Sequence, residues 1–209
     1  MKAIVTLTMA VVASSSVYSQ NETLLTHEDS LVLAEANHLP RVLSFHVVID
    51  SVLRDFPNNL RNITGDLVLA QGEFENYASM VELPGAEHCI ITRWHSIDDT
   101  TASWQAQMFR SEDFGEASKQ YHELFRQLQR CYLKLVDGSI IQLSGDWEPA
   151  KEEAAFTTST LRLQTGDWRY REVKVELELV YLFSDWAVRI NIVSKKRDDQ
   201  VGNGDEAGR

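Results

Sequence analysis

The segment Arg93-Trp94-His95, followed by Asp98 and Asp99, carries the most varied chemistry in the chain. An imidazole titrates near neutrality and a carboxylate can orient it, so His95 with Asp98 or Asp99 makes a candidate acid–base group. Arg93 beside them would anchor an anionic ligand. The plainer reading of the same residues is a half-exposed strand running into a polar turn. A second group, Trp168-Arg169-Tyr170-Arg171, interleaves aromatics with cations on an expected loop. These residue types are enriched at binding hot spots, which makes Trp168, Tyr170 and Arg171 candidate contacts along with Arg93. Against that stands a loop tryptophan folded down as a lid on the core.

Other chemical signatures fail on spacing. His122-Glu123 opens like a zinc-protease H-E-x-x-H, but position 126 is arginine. His88, Cys89 and His95 do not have the spacing of a zinc site. There is no nucleophile elbow, phosphate-binding loop or dinucleotide fingerprint, and Gly202-Asn203-Gly204-Asp205 lacks calcium-loop spacing. The expectation is therefore no metal and no cofactor. Asn21-Glu22-Thr23 and Asn62-Ile63-Thr64 match the glycosylation sequon, which has meaning only in a eukaryotic secretory protein.

The address of the protein is read at its start. Lys2 precedes an apolar stretch, Ala3 to Ala13, that is too short to span a bilayer, and Val17 and Ser19 sit at the −3 and −1 positions before Gln20. Residues 1–19 thus read as a signal peptide, cleaved near Ser19/Gln20, for a secreted or periplasmic protein. Cleavage removes Lys2 and leaves the rest one unit more acidic than the −11 of the whole chain. Such a balance disfavours nucleic acid, which needs clustered cations, and would steer association with a basic protein. No later apolar run is long enough for a membrane span. In an oxidising compartment, the two cysteines, Cys89 and Cys131, are expected to pair as a disulfide. On the chain-entropy model, closing that loop is worth about 4 kcal/mol.

Stepping outward from these residues, the hydrophobic period locates the elements that hold them. Val42, Phe45, Ile49, Val52 and Phe56 recur at 3- and 4-residue intervals, predicting a helix opened by Pro40 and stopped by Pro57. From Gly65 to Phe109 the period becomes strand-like, with strands over Tyr77–Leu83, Cys89–Trp94 and Trp104–Met108. Ser111 then caps a second helix whose apolar stripe runs from Phe114 to Leu135, placing Cys131 on its buried face and Gly138 at its end. Strands return at Ile141–Leu143, Thr157–Gln164, Val173–Phe183 and Trp186–Ile192. A two-residue Ser184-Asp185 loop would set Phe183 opposite Trp186 and Leu179 opposite Ile190.

The expected fold is α+β: an antiparallel sheet of about seven or eight strands in two meanders, with two main helices on one face, in the order α-βββ(β)-α-ββββ. A single domain spans 40–194, between a loosely ordered segment at 20–39 and a disordered charged tail at 195–209. For function, the leading expectation is a non-catalytic binding or accessory module whose partner is a basic protein or a small ligand. The alternative is a small secreted hydrolase using His and Asp as acid and base. An apolar ligand held between sheet and helices is a third reading, since 5 Trp and 8 Phe must be accommodated.

Overall fold

The apolar stripe near the start winds into helix α1, Phe45–Asp55, whose Val48, Ile49, Val52 and Leu53 are buried. This structure, a computed structural model, describes residues 43–95 and 100–194. Residues 1–19 (expected as a signal peptide), the 20–39 segment, Pro40, Asp98, Asp99 and residues 195–209 lie outside those residues. Pro57 sits in the short 3₁₀ turn that follows α1, as its missing N–H requires. The chain then reverses through Asn59 and Leu60, both with left-handed backbone. Buried Asp55 holds that reversal by accepting from the side chains of Asn58 and Asn62 and from the Asn62 N–H.

Nine strands follow in one antiparallel sheet: β1 Thr64–Gln71, β2 Phe74–Ser79, β3 His88–His95, β4 Thr100–Ser111, β5 Tyr132–Lys134, β6 Ile140–Gly145, β7 Phe156–Leu163, β8 Val173–Leu182 and β9 Asp185–Ser194. Their order is β1-β2-β3-β4-β9-β8-β7-β6-β5. Two meanders are thus joined through β4 and β9. The α+β class and the antiparallel sheet with two helices are as expected. The strand count and element order differ, because β1 and β5 were not foreseen.

Helix α2, Phe114–Leu128, is capped by Asp113 and not, as expected, by Ser111, which ends β4; the Asp113 side chain accepts from the Glu116 N–H at 2.8 Å. Its buried residues lie over β4, β8 and β9, so one sheet face carries the core. Ile91, Trp104, Ile192, Val175 and Leu161 form a continuous row there, each directly opposite the next across β3, β4, β9, β8 and β7. All of them are buried.

Three further expectations are corrected. Helix α2 stops at Leu128 and does not continue to Leu135; Leu133 and Ile141 instead face each other across β5 and β6, both buried. Gly138, at φ +87°, closes that hairpin rather than the helix, with the Asp137 carboxylate accepting from the Ser139 N–H and hydroxyl. The β8–β9 loop is Phe183-Ser184, so Tyr181 faces Trp186 and Leu179 faces Val188. This register differs from the expected one by an even step, and the apolar residues therefore stay on one face. Phe183 takes φ +60° and is fully exposed at the hairpin tip, where glycine would be unstrained.

The third correction concerns the cysteines. Cys89 and Cys131 are free thiols, both buried. Cys89 lies on β3, whereas Cys131 precedes β5, with β4, β9, β8, β7 and β6 between them in the sheet. Each sulfur has its own local partner: the Leu83 N–H donates to Cys89 Sγ, and the Cys131 thiol donates to the Gln127 carbonyl, both at 3.4 Å. Burial pushes Cys89 up to about 11 and Cys131 up to about 12, so neither is a ready thiolate at neutral pH. Thiol titration of the purified protein is expected to find no reactive group in the native state and two in denaturant, without added reductant.

Candidate functional site

Two polar groupings stand out, one on each face of the sheet. The first grows from the β2–β3 hairpin at an edge of the core-bearing face. Tyr77 faces buried Ile91, and two pairs further along Glu75 faces Arg93. Alternation then puts Glu75, Tyr77, Arg93 and His95 on a single face. His95 Nε2 lies 2.9 Å from Glu75 Oε2, and the Tyr77 hydroxyl donates to the same oxygen at 2.7 Å. Arg93 donates to Thr64 Oγ1 at 2.8 Å, with its guanidinium 5.7 Å from the centre of the Tyr77 ring. The Tyr77 hydrogen bond, then that of His95, holds the Glu75 carboxyl below its ordinary range, and Glu75 in turn raises the Tyr77 phenol.

Of the residues singled out from sequence, this brings Arg93 and His95 together. It supplies His95 with Glu75, a partner twenty positions earlier that only strand pairing could reveal. The His95 side chain is 45% exposed and the pair stands on an open hairpin. The Trp168 loop divides differently. Trp168 is 78% exposed, while Tyr170 is 3% exposed and packs inward, so the two do not share a patch. It is Tyr170 that folds onto the core. Arg169 is held by Asp167 at 2.6 Å and lies 5.6 Å over the Tyr170 ring; Arg171 is exposed.

The second grouping was not foreseen. On the helix-free face, strands β6, β7 and β8 and the residues after β6 line an open cleft of about 640 Å³. Its walls are Ser144, Gly145, Asp146, Glu148 and Gln164 with Thr158, Thr160, Arg162, Lys174 and Glu176. Alternation explains the lining: Ser159 and Leu161 point into the core, so Thr158, Thr160 and Arg162 must point away from it. Gly145 lets β6 approach β7 closely, since a Cβ there would meet the Thr160 carbonyl oxygen and the Leu161 Cα. The start of the following loop is tied down from the core side. Ser159 Oγ, buried, accepts from the Glu148 N–H at 3.0 Å and lies 2.7 Å from the Tyr121 hydroxyl. Trp147 packs against Tyr121, His122 and Phe125 of α2.

Toward the middle of this same face, polar side chains satisfy one another. Gln105 donates to Asn191 at 2.7 Å, Arg189 donates to Gln107 at 3.0 Å, and Asn191 bonds Glu178. Burial raises the Glu178 carboxyl, with the neighbouring Glu176 charge adding to it. In the cleft this pairing ceases. Thr158 Oγ1 is buried with no hydrogen-bond partner. Arg162 and Lys174 face each other directly across β7 and β8, and Lys174 is only 9% exposed. Among the described residues, neither cation has an ion pair or a side-chain hydrogen bond.

No described group of three or more His, Cys, Asp or Glu residues is placed to hold a metal ion. Among the described residues, no helix is long and apolar enough to cross a membrane. No known protein family, no curated protein and no solved structure matches the chain.

Proposed function

We propose that this protein is an exported, non-catalytic binding module that takes a small polar ligand in the cleft of β6, β7 and β8. The observation that carries this reading is the contrast on one sheet face: polar residues at its centre are mutually bonded, while those of the cleft keep donors and acceptors unused. The cleft falls within the roughly 300–1,000 Å³ of small-molecule sites, though most such sites are chiefly apolar. Its polar walls call for a ligand that is polar over most of its surface. Export rests on the leader at residues 1–19, and amino-terminal sequencing of native material is expected to begin at Gln20.

The test is a thermal-shift panel of small polar solutes, with sugars, sugar acids, amino acids and phosphate as its classes, run on the protein and on Thr160→Trp, which fills the cleft. A ligand at a hundred times its Kd adds about 2.7 kcal/mol, which is several degrees of Tm. At least one class is expected to shift the parent and leave the tryptophan variant unmoved. A panel without any shift overturns the reading.

The His95–Glu75 hydrogen bond supports a second reading, a small hydrolase in which Glu75 orients His95 as general base. Turnover of ester, glycoside or peptide substrates that is abolished by His95→Asn would establish it over the first. A pull-down of the 20–209 form from its envelope fraction addresses the remaining option, a basic protein partner.

A further inference from the structure

Arg162 and Lys174 are like-charged residues set directly opposite each other, and neither has an ion pair among the described residues. Directly opposite side chains on paired strands stand with Cβ atoms about 4.5–5.5 Å apart, and like charges placed so are destabilising. Burying most of the Lys174 side chain reduces the solvent screening of that repulsion. The chain is strongly acidic, and Asp146, Glu148 and Glu176 line the same cleft, yet neither cation forms an ion pair with any of them. A negative group seated between the two cations would relieve the repulsion, and the arginine fork suits the planar or tetrahedral oxygens of a carboxylate or phosphate.

The rest of the lining describes the rest of the ligand. The carboxyl oxygens of Asp146, Glu148 and Glu176 offer acceptors, so they call for hydroxyl donors. Thr158, Thr160 and Ser144 each donate and accept, and the Thr158 hydroxyl is buried without a partner. A row of such groups beside one cationic end fits a ligand with several hydroxyls and one charge.

We infer that Arg162 and Lys174 form the anion-binding end of this cleft, and that its occupant is a sugar-sized polyol bearing one acidic group, a carboxylate or a phosphate. This rests on the cleft being the binding site. The same two residues set selectivity against neutral sugars, and binding weakens with added salt because the contact is ionic.

The experiment is calorimetric titration of the full chain with glucuronate, glucose 6-phosphate, glucose and inorganic phosphate. One of the acidic sugars is expected to bind at least about tenfold more tightly than both glucose and inorganic phosphate. Which one does so separates a carboxylate from a phosphate ligand. Lys174→Met keeps the side-chain volume and removes the charge; it is expected to weaken that binding about tenfold or more, and Arg162→Gln to do the same. Without ligand, Lys174→Met should melt no lower than the parent, since it ends a repulsion.

Binding of glucose as tight as that of the better-bound acidic sugar overturns the inference, as does inorganic phosphate binding as tightly as that acid. So does unchanged affinity in both variants, or a lower melting point of ligand-free Lys174→Met. Binding by none of the four probes also overturns it. Glucose binding as tight as that of the acidic sugars, and abolished by Thr160→Trp, would leave the binding-module reading standing with the anionic end disproved; only the wider solute panel removes that reading.

Discussion

Gly145→Ala is expected to lower unfolding stability by about 2–3 kcal/mol, in the range of overpacking within a close-fitted interior. The added methyl would collide with backbone, the Thr160 carbonyl oxygen and the Leu161 Cα, and backbone cannot swing aside as a long side chain can. Strands β6 and β7 must then separate where Gly145 faces Leu161. Buried Leu161 belongs to the core row, so the displacement reaches the core as well as the cleft wall. Urea unfolding checks this: the midpoint should fall while the slope stays that of the parent. Gly166→Ala is the control, because nothing lies within reach of a Cβ built there, and its change should stay near 0.5 kcal/mol. A Gly145→Ala protein as stable as the Gly166→Ala control would show that β6 and β7 do not approach so closely.

Trp104→Ala is expected to cost more, about 3–5 kcal/mol. Trp104 is fully buried between Ile91 and Ile192 on neighbouring strands, so the cavity would open in the middle of the core row. Its Nε1 also donates to Ser79 Oγ at 3.0 Å, linking β4 to the end of β2 across β3. Ser79 in turn donates to the Val81 carbonyl and directs the chain out of β2. Total stabilities of domains this size are about 5–15 kcal/mol, so a large fraction would be lost at once. Trp104→Phe separates the contributions. It keeps most of the ring volume, and Ser79 retains both of its contacts with Val81, so a loss of about 1–2 kcal/mol is expected. Thermal and urea denaturation of both variants should show this ordering; equal losses would mean that the hydrogen bond, and not the packing, carries the site.

Particular residues show why part of this was readable in advance. Over Val173–Leu179 apolar and charged residues alternate and the apolar ones are buried, whereas at Val180–Leu182 the alternation lapses and Tyr181 is exposed. Strand β1 carries no alternation, because Leu67, Val68 and Leu69 are three apolar residues in succession, and register irregularities interrupt its pairing with β2. Cys131 and Leu135 continue the helical spacing beyond the end of α2, but the chain there pairs Leu133 with Ile141 around the Gly138 turn. His95 was noticed for its chemistry, while Glu75 was invisible as its partner. Nothing in the local alternation sets Arg162 or Lys174 apart from the other outward residues of β7 and β8; their meeting follows from strand pairing.

What the residues alone decided is the character of each segment: which stretches wind or extend, and which side of each turns away from water. Those properties follow from a local geometry of 3.6 or 2 residues per repeat and need no knowledge of neighbours. Only tertiary structure decided that β4 would lie beside β9, that the two thiols would stand apart, and that two cations would meet across one strand pair. Each of these depends on a register set by loops and packing far away in the chain, and a single step in that register would exchange every partner while leaving every segment's own pattern unchanged.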